Sequence, residues 1–223
     1  MISSICKRHA GAFLLLLIAV LGGLDNRRAG AEPPEILQGG LRIPAVRLQP
    51  EEMEALARTG DLHAVKTLIA ILSNRDEDWK VRIRAMRLLG AIGNPHAEDA
   101  LMDMLKELCP AMKWNAAASL GQFSKSPRVV NALITSLGDP DLYVREMALQ
   151  ALGAIGDRKA VPFILPALAE KSFAVRISAI RALGGLGDPA ALPSLRRAAE
   201  SDPESLIREA AGEAVRAIAG EGR

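Results

Sequence analysis

VREMALQALGAIGDR, residues 144–158, decides the fold. Val144, Ala148, Ala151, Leu152 and Ile155 fall at i, i+4, i+7, i+8 and i+11, one apolar stripe along a helix. Gly156 and Asp157 then stop it: glycine accepts the left-handed turn after a helix, and aspartate suits the start of the next one. The phrase recurs. VRIRAMRLLGAIGNP begins at Val81, MKWNAAASLGQFSKS at Met112, VRISAIRALGGLGDP at Val175 and IREAAGEAVRAIAG at Ile207, in steps of 31, 32, 31 and 32 residues. LQPEEMEALARTGD from Leu48 fits the same frame more loosely. A second phrase follows 16 or 17 residues into each unit: AVKTLIAIL at Ala64, AEDALMDML at Ala97, VVNALITSL at Val129, AVPFILPAL at Ala160 and ALPSLRRAA at Ala191.

Each unit therefore reads as two antiparallel helices joined by a short turn. One hairpin cannot bury both of its apolar faces, whereas stacked hairpins share a continuous core. The predicted architecture is an all-α solenoid over residues 48–220, five hairpins and a capping helix near 204–219. Gly90, Gly121, Gly153 and Gly184 sit inside their helices, where glycine costs about 1 kcal/mol relative to alanine, so close backbone packing is expected there. Ala85, Ala116, Ala148, Ala179 and Ala211 form a parallel column. Residues 32–47, with three prolines and two glycines, read as an irregular lead-in.

V-R-x-x-A-x-x-A-L-G-x-x-G-D followed by A-V-P-x-L-x-x-A-L resembles bacterial HEAT repeats, specifically the short type named after phycobilisome lyases. The likeness covers about three quarters of the chain. It implies a solenoid, and its matched positions are structural ones. The unit from Met112 departs from it at Met112, Lys113, Ser119 and Ser124.

Composition agrees with helices. Of 223 residues, 49% are apolar but only 3% aromatic, which disfavours a β-sandwich or barrel. Two cysteines, Cys6 and Cys109, exclude a disulfide framework and a multi-cysteine zinc site. At the N-terminus, Lys7 and Arg8 precede an apolar run from Ala12 to Leu24 and an A-x-A pattern at Ala29–Ala31. Thirteen apolar residues are short for a membrane span, which needs about 20, but suit an export signal cleaved after Ala31. Arg27 and Arg28 behind the run favour the alternative, an uncleaved anchor. The expected location is periplasmic or secreted. Residues 1–31 carry four basic side chains and one acidic, leaving 24 basic against 25 acidic in the remaining 192, so nothing there calls for a polyanionic partner.

Reactive groups are sparse. Arg82, Lys113, Arg145, Arg176 and Arg208 form a basic column. It is either an anion ladder or a set of structural pairs with turn acids such as Asp157 or Asp188. His63 and His96 share a slot in consecutive repeats, too far apart for one metal at the usual spacing of packed helices. Cys109 before Pro110 is either a buried small apolar residue or a reactive thiol. Asp76, Glu77 and Asp78 read as a solvated turn. In HEAT arrays the second helices usually line the concave face. The candidate partner-binding residues there are Asp99, Asp103, Asn131, Thr135, Phe163, Pro166 and Arg197. Phe163 stands where other repeats have Thr67, Ala100, Ala132 or Ser194, and Pro166 must break a helical hydrogen bond. Phe163 either folds into local packing or meets a partner.

The function expected from these residues is an exported, monomeric scaffold that binds another protein. It has no catalytic residue, no cofactor, no metal, no nucleic-acid partner and no membrane insertion after cleavage. The resemblance brings the alternative of a bilin lyase or chromophore-handling protein. Such proteins act in the cytoplasm, so an export signal weighs against it. HEAT-like nucleic-acid binding is a third class, opposed by the charge.

Overall fold

Each apolar stripe needs a partner surface, and the chain supplies one by folding its helices into hairpins. A computed structural model describes residues 36–38, 41–43, 48–123 and 126–220. Two short strands, β1 (Ile36–Gln38) and β2 (Leu41–Ile43), pair antiparallel with Ile36 opposite Ile43. This corrects part of the irregular lead-in: Gly39 and Gly40 separate two triplets, each with two apolar residues, the pattern of a hairpin. The helices that follow are α1 (Pro50–Thr59), α2 (Leu62–Ser73), α3 (Trp79–Ile92), α4 (Glu98–Met104), α5 (Pro110–Leu120) and α6 (Pro127–Ser136). Then come α7 (Leu142–Ile155), α8 (Val161–Ile164), α9 (Phe173–Leu186), α10 (Leu192–Ser201) and α11 (Ser205–Ala219). Five helical hairpins and a further helix follow one another along the chain from Pro50, the α-solenoid class that the 31-residue period predicts.

Turn chemistry sets the hairpins. At the end of α7, Gly156 has φ 73°, a left-handed conformation that a side chain would strain. Asp157 then accepts the Lys159 N–H at 3.0 Å, opening a 3-10 turn (Arg158–Ala160) that leads into the second helix. Asn94 and Asp188 do the same for His96 and Ala190. At the other end, the Asp141 carboxylate accepts the N–H groups of Tyr143 and Val144 at 2.9 and 3.2 Å, capping α7.

The chain divides into two compact units within α3, after Ala85. In the first, Met53 of α1 and Leu68 and Leu72 of α2 are fully buried. The Arg84 guanidinium meets Glu54 at 3.0 Å, and Arg82 Nε donates to the Leu72 carbonyl at 2.8 Å.

In the second unit the first helices stack in order: α5 on α7, α7 on α9, α9 on α11. Glycines explain the spacing, Gly153 inside α7 and Gly121 not inside α5 as expected but at its C-cap. A Cβ on Gly153 would stand 2.9 Å from Ala182 Cα, and one on Gly121 would stand 2.9 Å from Ala151 Cα, closer than atoms pack. Gly90 makes the same approach to Ser119. Leu120, Leu149, Leu152 and Ile180 fill the core between the stacked helices, each worth about 1.5–3 kcal/mol of burial. The outer face of α11 is polar: the helix buries Ile207, Ala211 and Ala214 and leaves Glu209, Glu213 and Arg216 exposed.

Candidate interaction surface

Three members of the basic column prove to be structural, with partners other than Asp157 and Asp188. Lys113 Nζ lies 2.8 Å from Asp139 Oδ2, Arg145 Nε lies 3.3 Å from Glu170 Oε1, and Arg176 Nε lies 2.9 Å from Asp202 Oδ2. Each pair joins a first helix to the turn that opens the next hairpin. Asp157 and Asp188 are instead occupied as caps. The Arg176–Asp202 pair is the most enclosed, its side chains 10% and 6% exposed. Three arginines also hold their own turns. Arg145 Nη1 donates to the carbonyls of Asp139 and Pro140, Arg176 Nη1 to those of Glu170 and Lys171, and Arg208 Nη1 to those of Asp202 and Pro203. The Nη groups of Arg145 and Arg176 are thus shared between turn carbonyls and a carboxylate of the next turn. The sequence carried a signal for this. An acid stands six residues before every column cation, at Asp76, Glu107, Asp139, Glu170 and Asp202.

Two hollows open between successive second helices. The first, about 610 Å³, lies between α4 and α6. Met102, Leu105 and Ala132 give it apolar wall, while Asp99, Asp103, Thr135 and Arg128 give it polar edge. Arg128 reaches across to Asp99, and Lys106 pairs with Asp103 at 2.7 Å. The second hollow, about 390 Å³, lies between α10 and the 3-10 turn Leu165–Ala169, with Leu165 and Leu168 on one side and Ser194 and Arg197 on the other.

The candidate residues thus separate. Asp99, Asp103 and Thr135 share the first hollow, and Arg197 lines the second. Asn131 is exposed on α6, its backbone carbonyl accepting from Thr135 Oγ1. Phe163 lines neither hollow and is 54% exposed on α8, so it does not fold into local packing. Pro166 is exposed too, and the helix gives way where its ring requires: α8 stops at Ile164 and the chain continues as a 3-10 turn. Asp99 and Asp103 are engaged in their own pairs and do not surround Phe163.

Other candidates settle into local roles. The His96 ring stands 3.0 Å from the Asn94 amide oxygen, and no group of three or more His, Cys, Asp or Glu is placed to hold a metal among the described residues. Asp78 caps α3 through the Lys80 N–H at 2.7 Å. Cys109 is the N-cap of α5 and only half-buried, and no free cysteine occurs among the described residues, which corrects both readings of it. The expected export signal lies outside the described residues. Within them no helix is long and apolar enough to cross a membrane.

Comparison with known proteins follows this geometry. The family model for HEAT repeats matches residues 65–143 and 130–216. The bilin biosynthesis protein PecE of Mastigocladus laminosus is 27% identical over 157 residues, 66% of this chain and 57% of that protein. The phycocyanobilin lyase subunit alpha of Picosynechococcus is 47% identical over 51 residues, 23% of this chain and 19% of that one. The chain therefore spans little more than half the length of the first of these relatives and about a fifth of the second. Among solved structures, the complex of CpcE and CpcF of phycocyanin lyase from Nostoc matches with a TM-score of 0.54 and 26% identity, covering 80% of this chain and 79% of that one.

These relatives overturn the expectation of a chain with no part in enzymatic chemistry. That expectation rested on the lack of a converging nucleophile, base and acid. Holding two reactants together is itself catalytic, and it needs a shaped surface and no reactive side chain of its own.

Proposed function

Since the chain belongs to the HEAT-repeat family, we propose that it works as one subunit of an assembly of the bilin-lyase type. In this reading the solenoid holds a protein partner while a linear tetrapyrrole is joined to, or moved on, that partner. The observation that carries the proposal is the match to PecE, which extends over 157 residues and so follows several repeats in succession. The surface offered is the second-helix side, where the two hollows and the exposed Phe163 lie. An aromatic ring left half in water is a usual anchor for a protein contact.

Co-expression with phycocyanobilin and a phycocyanin subunit lacking chromophore tests the reading. The expected result is a denaturation-resistant, bilin-coloured phycocyanin band that depends on this chain and on a second subunit. Equal colouring without the chain overturns it.

We propose separately that residues 1–31 are an export leader cleaved after Ala31, a reading that competes with the lyase assignment because such proteins act in the cytoplasm. N-terminal sequencing of the accumulated protein should then read from Glu32. An intact Met1 in the membrane fraction would make the segment an anchor instead.

A further inference from the structure

The ladder of buried pairs is repetitive enough to be read as a rule. A column arginine uses Nη1 to grip two carbonyls of its own turn, and the opposite edge of its guanidinium takes a carboxylate from the turn of the next hairpin. Arg145 and Arg176 do both. Arg208 does the first half: Nη1 donates to the Asp202 carbonyl at 2.6 Å and to the Pro203 carbonyl at 3.1 Å. Among the described residues no carboxylate meets its other edge. The Asp202 side chain is committed to Arg176, and Glu204, the N-cap of α11, is exposed.

Arg208 is thus held in the posture that binds a carboxylate at two other places in the same chain. Beside it Leu206 is 61% exposed, near the helix start where α7 presents Leu142 and Tyr143 and α9 presents Phe173. We infer that the start of α11 is a docking site for an acidic turn of a partner protein. The occupant is a helix-connecting segment that places one Asp or Glu against Arg208 and an apolar side chain against Leu206. The chain's own turns show the pattern, Asp139 before Leu142 and Glu170 before Phe173. The new contact continues the interface that already joins hairpin to hairpin.

The rest of α11 limits how the partner approaches. In α9, Gly184 lets Ala214 come close, while the equivalent position of α11 is Arg216, which is exposed. No helix can lie on α11 as closely as α11 lies on α9. The partner therefore engages through its turn. Glu204 at the N-cap of α11 and Glu209 and Glu213 within it repel a strongly acidic segment, so a single carboxylate is what Arg208 takes.

This inference rests on the protein-docking half of the proposed function and needs no tetrapyrrole. The probe is the capped peptide Leu-Gly-Asp-Pro-Asp-Leu, the sequence of residues 137–142, titrated into this chain with arginine side-chain Nε–H signals followed by NMR. The expected result is a saturable shift of the Arg208 signal, with Arg145 and Arg176 unmoved. Changing both peptide aspartates to asparagine should weaken binding at least tenfold. Arg208→Gln should abolish it while the backbone amide spectrum outside α11 stays in place. No shift at Arg208, or an equal shift with the asparagine peptide, overturns the site. So does an equal shift at exposed Arg196 and Arg197, the mark of unspecific charge. A failed peptide titration leaves the bilin experiment standing, and a failed bilin experiment leaves the peptide site standing.

Discussion

In the second unit the hairpins' first helices α5, α7 and α9 run 11, 14 and 14 residues, whereas the second helices α4, α6, α8 and α10 run 7, 10, 4 and 10. The even row carries the glycine contacts and most of the charge ladder. The uneven row carries both hollows, the exposed ring of Phe163 and the proline break. A helix that touches its neighbours backbone to backbone cannot lose a glycine without displacing the next one. A helix with one face in water can shorten, bend or turn into 3-10 geometry and leave the stack intact. Variation thus collects where a partner would sit.

The contrast is broken most severely at Asp202. Asp202→Ala leaves Arg176 buried with a bare edge, and a loss of about 3 kcal/mol is expected. Hydrogen exchange should localise the damage to α9–α11, since contacts run between neighbouring hairpins. Uniform loosening from α1 to α11 would contradict the even row's division into separate joints. Phe163→Ala tests the uneven row. Partner binding should fall by about 2 kcal/mol, while thermal stability, with the ring already half in water, should move by about 0.5 kcal/mol or less. A drop of several degrees in melting temperature with binding preserved would move Phe163 into the packing and away from function.

Gly153→Ala should cost about 1 kcal/mol. The gain in helix propensity is outweighed by forcing a methyl group to within 2.9 Å of Ala182 Cα. A stabilised variant would mean the two helices can slide apart freely, and chemical denaturation decides it. Smallest of all is Lys106→Ala. Its partner Asp103 is largely in water, so the change should stay within about 0.5 kcal/mol in a melting experiment.

Most of the architecture could be read from the repeat because the constraints recur. Gly156 and Gly187 announce left-handed caps, and Gly153 announces a close approach that Gly90 and Gly121 repeat. The charge partners were misread because Asp157 and Asp188 are conspicuous beside the glycines, while Asp139, Glu170 and Asp202 lie in less uniform turns. Only spacing counted backwards from the cations, six residues each time, distinguishes them. Phe163 stands out in the sequence as an aromatic in a slot of small and polar residues. Its exposure depends on where α8 ends, which Pro166 sets and periodicity does not reveal. The first hollow was partly legible, since Asp99, Asp103 and Thr135 were picked as outward residues. Its other polar wall, Arg128, comes from the start of α6 and lies off the repeated phrase.

The ladder also bears on how such a chain could change over generations. Its joints have a common format: a cation near the start of one hairpin accepts Asp139, Glu170 or Asp202 from the next without altering the geometry on either side. Parts with a common format are exchangeable. Loss or duplication of a whole 31- or 32-residue segment by recombination would bring an old cation against a different but equally suitable carboxylate. Loss of half a segment would strand both. The lengths open to descendants of this chain are therefore quantised in whole hairpins, and the buried charges are what would reject the fractions.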